Sequence, residues 1–500
     1  MNDNPGAEAP DAVLDRMQFR ADPLADDTIA RIVGPWQTAA SSTTADEIVA
    51  RNRAHWQRLD AATRAMSQWH SNGALADWQP TTDTAPDTAI DTAPDTAPDM
   101  AAALQDYVRA ARALPVWADA AKIEQAERVF FDYGALSCVL LFCASLPECY
   151  VVPDLAEVLH TTGQLEQRAE YRIRATAAMV FPVMMAGGLT AAEGGGVAQV
   201  LKVRLIHATV RNLILRGEPQ AAVAALAALG GQFTAGSGVV PPLEALRTTS
   251  GMHRALYAHG WKLGEDGLPC NQEELAYTLL TFGFVFLRGL RTLGLRLSRS
   301  DEEAYLHAWN VVGHLLGIER ELMPDTTDAA SALFARMQAR GRSPTSAPVQ
   351  PDPRPALGRR LMQTLSQVIP LGVAKSFPVL MTRLLCGPAT ARDIGIDGPT
   401  PWLSRALFAL GLHTARVIDA VVRLAVPGFS LVRFATRVLG YHLVSQLLMD
   451  QTRPLKLPDH VRARVAVMMS NWGDDPRAPR WLNRLEDRFT TRGGWNLPVR

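Results

Sequence analysis

Charge of one sign, long apolar runs and paired cysteine motifs are all missing from this 500-residue chain, and each absence removes a class of function. Lys and Arg together number 50, as do Asp and Glu. No global field therefore draws the chain to nucleic acid or an acidic membrane, and nucleic acid is not an expected partner. The longest apolar runs, 135–146 and 275–287, fall short of the about 20 residues a bilayer-crossing helix takes, so no transmembrane span is expected. The first residues, MNDNPGAEAPDAV, are polar and acidic and lack the basic start and apolar core of an export signal. Five cysteines cannot all pair within one chain. Cys138, Cys143 and Cys149 lie in an apolar stretch, as small core residues in a reducing compartment would. The expected location is the cytoplasm. No CxxC, CxxCH or HExxH spacing occurs, which sets aside zinc ribbons, covalent haem attachment and zincin chemistry.

Strand-like alternation is also nearly absent, and the apolar residues recur instead at three and four positions. That period marks helices in 102–114, 118–130, 134–146, 164–186, 197–216, 273–296 and 301–320. Pro153-Asp154 and Ser298 supply start signals. The segment 402–427 is rich in Leu, Val and Ala but interrupted by Arg405, His413, Arg416, Asp419 and Arg423. It reads as a buried amphipathic hairpin, with peripheral membrane contact by 402–450 left open. Two Pro-rich stretches cannot bury a core and divide the chain. The expected organisation is an N-terminal helical segment 1–79, a linker 80–100, a catalytic unit 101–340, a linker 341–356 and C-terminal helices 357–500. The fold class is all-α, a multi-helix bundle.

One segment carries chemistry. In Lys202-Val203-Arg204-Leu205-Ile206-His207-Ala208-Thr209-Val210-Arg211, Arg204 lies three residues before His207 and Arg211 four after it. Helical spacing puts the three on one stripe. An imidazole flanked by cations one turn away on either side suits a haem, the imidazole for iron and the cations for the propionates. A lone histidine on a mixed face is equally a structural histidine, and spacing alone does not separate the two. Upstream, Arg172 and Thr176 stand one turn apart and present a cation and a hydroxyl to one volume, suited to developing negative charge. A surface arginine and a back-bonded threonine have the same spacing.

The run 131–217 resembles the catalytic domain shared by latex clearing proteins (rubber oxygenases) and MpaB-type oxygenases. The residues that carry the likeness are Thr162-Gly163-Gln164-Leu165, Arg172-x-x-x-Thr176, and Val203 to Arg211 as quoted. Asn271-Gln272-Glu273-Glu274-Leu275, then Trp309, Gly313, Leu316-Gly317 and Pro324, follow in the family's order. The resemblance extends over about 101–340. It implies a globin-like core holding haem b through His207 as the iron ligand, with Arg204 and Arg211 at the propionates. It further implies Arg172 and Thr176 on the opposite side with a nearby carboxylate, for which Glu157 is the candidate, and dioxygen as co-substrate. Latex clearing proteins can carry a lysine immediately before the threonine; here Ala175 stands there. With no export signal either, rubber itself is set aside. A hydrophobic small molecule, unsaturated or isoprenoid-like, is the expected substrate.

Other constellations compete. A di-iron carboxylate oxygenase needs two Glu-x-x-His motifs, and the chain has one, Glu157-Val158-Leu159-His160. A non-catalytic helical haem- or lipid-binding protein is the second alternative. Gly187-Gly188 and Gly194-Gly195-Gly196 read as a helix–helix connection, since no strand or P-loop lysine precedes them. Gly313 and Gly317 read as a close helix approach, and His307 and His314 as structural or supporting residues.

Overall fold

The computed structural model describes residues 10–34, 45–80, 97–161, 169–215, 222–224, 261–295, 297–342, 352–369 and 371–425. Apart from an isolated bridge residue at Lys262, regular structure among these residues is helical, and the protein is all-α. The chain opens with α1 (Pro10–Gln18), α2 (Pro23–Val33), α3 (Ala45–Ser67) and α4 (Asn72–Ala76). The central part comprises α5 (Ala97–Ala111), α6 (Ala120–Leu140), α7 (Leu146–Cys149), α8 (Pro153–Thr161), α9 (Ala169–Met184) and α10 (Gly196–Leu215). It continues through α11 (Leu263–Asp266), α12 (Gln272–Phe282), α13 (Phe284–Thr292), α14 (Arg299–Leu315) and α15 (Thr327–Arg342). Three helices follow: α16 (Arg354–Gln367), α17 (Phe377–Asp393) and α18 (Trp402–Ala425). The turn 162–165 and the tail beyond 425 lie outside the described residues.

The packing explains why the N-terminal segment belongs with the rest. Helix α2 starts at Asp22, whose carboxylate caps it, with Pro23 preset for the first turn. It lies against α5 and α10, while α10 runs along α9 and touches α14. The deepest layer is α6 and its continuation. Gly134 breaks α6 at φ 39°, and a buried π-helical turn, Leu141–Ser145, leads into α7. The two limbs bend by 93° and are apolar enough together to cross a membrane. Leu136, Cys138, Leu140, Phe142 and Cys149 are nevertheless buried against other helices, so their apolar character is explained as core. Among the described residues no single helix is long and apolar enough to cross a membrane.

Two expectations are corrected. The stretch 273–296 is not one helix but two, α12 and α13, parted at Gly283, where Trp309 packs close to the glycine. The 402–427 segment is one continuous helix through Ala425 rather than a buried hairpin. It rests on α17 through a narrow face, and Trp402, Leu403, Leu410 and Val417 are exposed. No atom among the described residues lies within 4 Å of a Cβ placed on Gly411, and the described residues leave these apolar side chains uncovered.

Candidate functional site

Helix α10 carries His207, and its two faces are treated in opposite ways. At about 100° per residue, Arg204, Arg211, Ala208, Leu201, Asn212 and Leu205 share one side, and all six are buried. Thr209, Lys202, Ile206, Val210, Val203 and His207 occupy the remaining arc of about 160°, and none of them is buried. Ile206, at the centre of that arc, is 52 % exposed although α10 is otherwise a core helix. His207 lies at the border between the faces. Its ring is half-buried, and its Nδ1 is shut off from solvent.

The buried side is held by a dense set of charge-assisted bonds. Arg204 donates from Nε and Nη2 to the two Asp22 oxygens at 2.5 and 2.7 Å, and from Nη1 to the Leu315 carbonyl at 3.3 Å. Its guanidinium lies 6.0 Å from the Tyr107 ring centre. The side chain of Arg211, 0 % exposed, pairs with Asp26 and donates to the carbonyls of Pro269 at 2.9 Å and Cys270 at 2.6 Å. Burial pushes the Asp26 carboxyl up to about 6 against the pull of Arg211. Arg204 and Arg211, expected at the propionates of a cofactor, are therefore internal ties between α10, α2 and the 269–270 turn. Fork-shaped guanidiniums suit that task, because each satisfies several acceptors without leaving a buried donor idle.

Further motif residues build the same brace. Asn271 caps α12 by accepting from Glu274 N at 2.9 Å, while the Glu274 carboxylate accepts from Cys270 N at 2.8 Å, a reciprocal cap. That bond helps hold Cys270 at φ 54°. Gln272 donates to the carbonyls of Ala21 and Gly317 and accepts from Glu319 N. Gly317 ends α14 at φ +80°, and a Cβ there would meet the Asp22–Arg204 pair at 2.6–2.8 Å. Gly313 is likewise packed on Leu279 and Met323. His307 accepts from Asp119 N at 2.9 Å and packs edge-on to Trp117, as does His314. They are structural here.

Helix α9 runs along α10. Ile173, Arg174, Ala177, Val180 and Phe181 are buried, while Ala175, Thr176 and Ala178 are half-buried. Arg172 lies on α9 one turn before Thr176. The α9–α10 connection is a tight turn: Glu127 accepts from Gly187 N and Gly188 N at 2.9 and 3.1 Å, and Asn72 donates to the carbonyls of Gly188 and Ala191. A Cβ on Gly188 would lie 2.2 Å from the Pro182 carbonyl oxygen, so only glycine fits. Glu157, half-buried on α8, stands close enough to the 262–266 turn for its charge to act on Asp266 and Lys262. Burial, reinforced by Glu157, pushes the Asp266 carboxyl up to about 7. The same segment ends in the two carbonyls that hold Arg211, which links Glu157 to the far end of α10.

Lys202 went unnoticed in the sequence because it belongs to no motif. Burial alone pulls its ammonium down to about 8. Asp22 and Asp26 were also missed, although the Asp-Pro start of α2 signals a capped helix.

A single imidazole beside aliphatic side chains is a donor set that suits a largely apolar group bearing a metal. The His207 imidazole stands beside the exposed Ile206 and the partly buried Val203 and Val210, and α9 with Thr176 runs alongside α10. Comparison with known proteins gives a consistent context. Residues 133–423 match the family model described as "ER-bound oxygenase mpaB/B'/Rubber oxygenase, catalytic domain". A rubber oxygenase of Streptomyces sp. (strain K30) is 25 % identical over 232 residues, which are 46 % of this chain and 46 % of that protein. The match thus spans about half the length of that relative. A solved structure of latex clearing protein in the closed state superposes with a TM-score of 0.53 at 18 % identity, covering 88 % of this chain and 95 % of the other. The second likeness is one of fold.

Proposed function

The chain belongs to the MpaB/rubber oxygenase catalytic-domain family, and from that premise we propose that it is a haem b-dependent oxygenase acting with dioxygen on an apolar, unsaturated or isoprenoid-like compound. The observation that carries the reading is Ile206, half in the open beside His207 on a helix that is otherwise mostly packed. An exposed isoleucine beside a half-buried imidazole costs hydration free energy unless an apolar occupant covers it.

His207 would hold the iron through a ring nitrogen, and Val203, Ile206 and Val210 would cover the macrocycle and keep water away from it. When bound, haem b supplies the redox-active iron that activates dioxygen. The Thr176 hydroxyl, half-buried on α9, would donate a hydrogen bond toward developing negative charge, with Arg172 one turn away adding a cation. Glu157 would take and return a proton at its carboxylate, and its neighbour Asp266, whose carboxyl titrates near neutrality, would pass that proton on. Ala175 leaves the position before the threonine without an amine, so the side of the site opposite His207 carries no lysine at that point.

The test is the absorption spectrum of protein purified from haem-replete cells, followed by oxygen uptake with a panel of polyenes. A Soret band with polyene-dependent uptake is expected. Thr176→Ala should keep the band and lose uptake by at least tenfold. A colourless protein sinks the haem reading; a Soret band without uptake on any polyene points to a carrier.

A further inference from the structure

Half of the large apolar side chains left exposed among the described residues stand on one helix, α18: Trp402, Leu403, Leu407, Leu410 and Val417. The docked side of that helix is a different row. Ser404 donates to the Val373 carbonyl at 2.7 Å, Phe408 meets Phe377 edge-on at 5.5 Å, and Arg416 donates to the Thr292 carbonyl at 2.8 Å. Leu403, Leu407, Leu410, Thr414 and Val417 alternate by four and three, and the sequence continues that alternation to Val421 and Leu424. This row lies about 160° around the helix from the docked one and has no charged member. A strict alternation of three and four is the seam of a two-helix coil, narrower than the apolar face with which a helix lies on a broad core or on lipid.

We propose that the seam is covered by residues 431–448 of the same chain, which run back along α18 as the second arm of a helical hairpin. Helix α18 ends at Ala425, and Pro427-Gly428 follows at once, a pair that stops a helix and turns the chain. Ser430 then stands where a helix cap belongs. That leaves 426–430 as the connection, a length such hairpins use. Beyond it Leu431, Phe434, Val438, Tyr441, Ser445 and Leu448 alternate by three and four, again without a charge. The two rows mirror each other about the Pro-Gly pair: Leu424 and Leu431 are equidistant from it in sequence, as are Val417 and Val438, and Leu407 and Leu448. An antiparallel pair needs that symmetry to bring its seam positions level. A second copy or a membrane surface on α18 would place no such demand on 431–448.

The experiment is disulfide trapping in the full-length chain. Val417→Cys is combined either with Val438→Cys, its mirror position, or with Thr436→Cys, which lies about 3 Å along the second arm from 438 but about 160° around it. Both double variants are oxidised gently and the bridged peptides identified by mass spectrometry, with wild type as the blank. Thermal melts by circular dichroism verify that each variant folds. The 417–438 pair should close within one chain at least about tenfold faster than the 417–436 pair, because only facing positions bring the two Cβ atoms within reach of a sulfur bridge. Equal rates, or no bridge in either, overturn the proposal. A covalent dimer formed by Val417→Cys alone overturns it in favour of a second copy of this chain. An environment-sensitive fluorophore on Val417→Cys reads the remaining occupant: a blue shift only on adding vesicles of phosphatidylcholine and phosphatidylserine overturns it in favour of lipid.

Discussion

The two sides of α10 show how one helix can carry both architecture and chemistry. On the buried side both arginines are engaged: two guanidiniums, two carboxylates and three carbonyls form a set linking α2, α10, α14 and the turn before α12. On the other side lie an imidazole, an amine and a strip of aliphatic surface with Ile206 half in the open. The first side makes the helix rigid and fixes its rotation. In the proposed function the second side presents a ligand site on that rigid element, since a site is only as well placed as the element that carries it.

The comparison breaks most readily at Arg211. Truncating it to Ala leaves Asp26 buried without its cation, held only by the Asp22 N–H at 3.2 Å, and strips the Pro269 and Cys270 carbonyls of their donor. The expected loss is about 3–5 kcal/mol, read as a lower urea midpoint or failure to express as soluble protein. A variant with the wild-type midpoint would contradict the buried side's structural role. A smaller effect sharpens the same contrast at Asp266. Its folded carboxyl is raised to about 7 from an ordinary 3.8, so the folded state holds its proton over a range where the unfolded chain does not. The resulting stability is fully present below about pH 4 and is lost as pH rises through about 7. Asp266→Asn keeps an acceptor for Lys262 N, which reaches Asp266 at 3.3 Å, and removes that titration. Stability curves measured from pH 4 to 8 should show the variant gaining on wild type as pH rises; parallel curves would contradict the assignment.

Much of this was legible in the sequence, and the misses share a cause. Periodicity marked α9, α10 and α14 as helices, and spacing put Arg204, His207 and Arg211 within one turn of each other, whereas in the structure the arginines lie on the buried side and His207 at its border. It did not reveal which way the arginines reach, because their partners Asp22 and Asp26 stand more than 180 positions earlier in the chain. The reading of Gly313 and Gly317 as close-packing residues matches the contacts they make. The hairpin expected at 402–427 failed for a related reason: apolar content signals an amphipathic helix, but whether a neighbour exists to cover it is a property of the whole fold.

The central claim is that the sides of α10 are separable, and His207 tests it most directly because it stands on the border. His207→Ala and wild type are expressed in parallel in haem-replete cells, and each is examined by absorption spectrum and urea unfolding. The account predicts that the variant loses the Soret band, while its apo form unfolds within about 1 kcal/mol of the wild-type apo-protein. A variant that retains the wild-type spectrum, or whose apo form is destabilised as severely as Arg211→Ala, would contradict it.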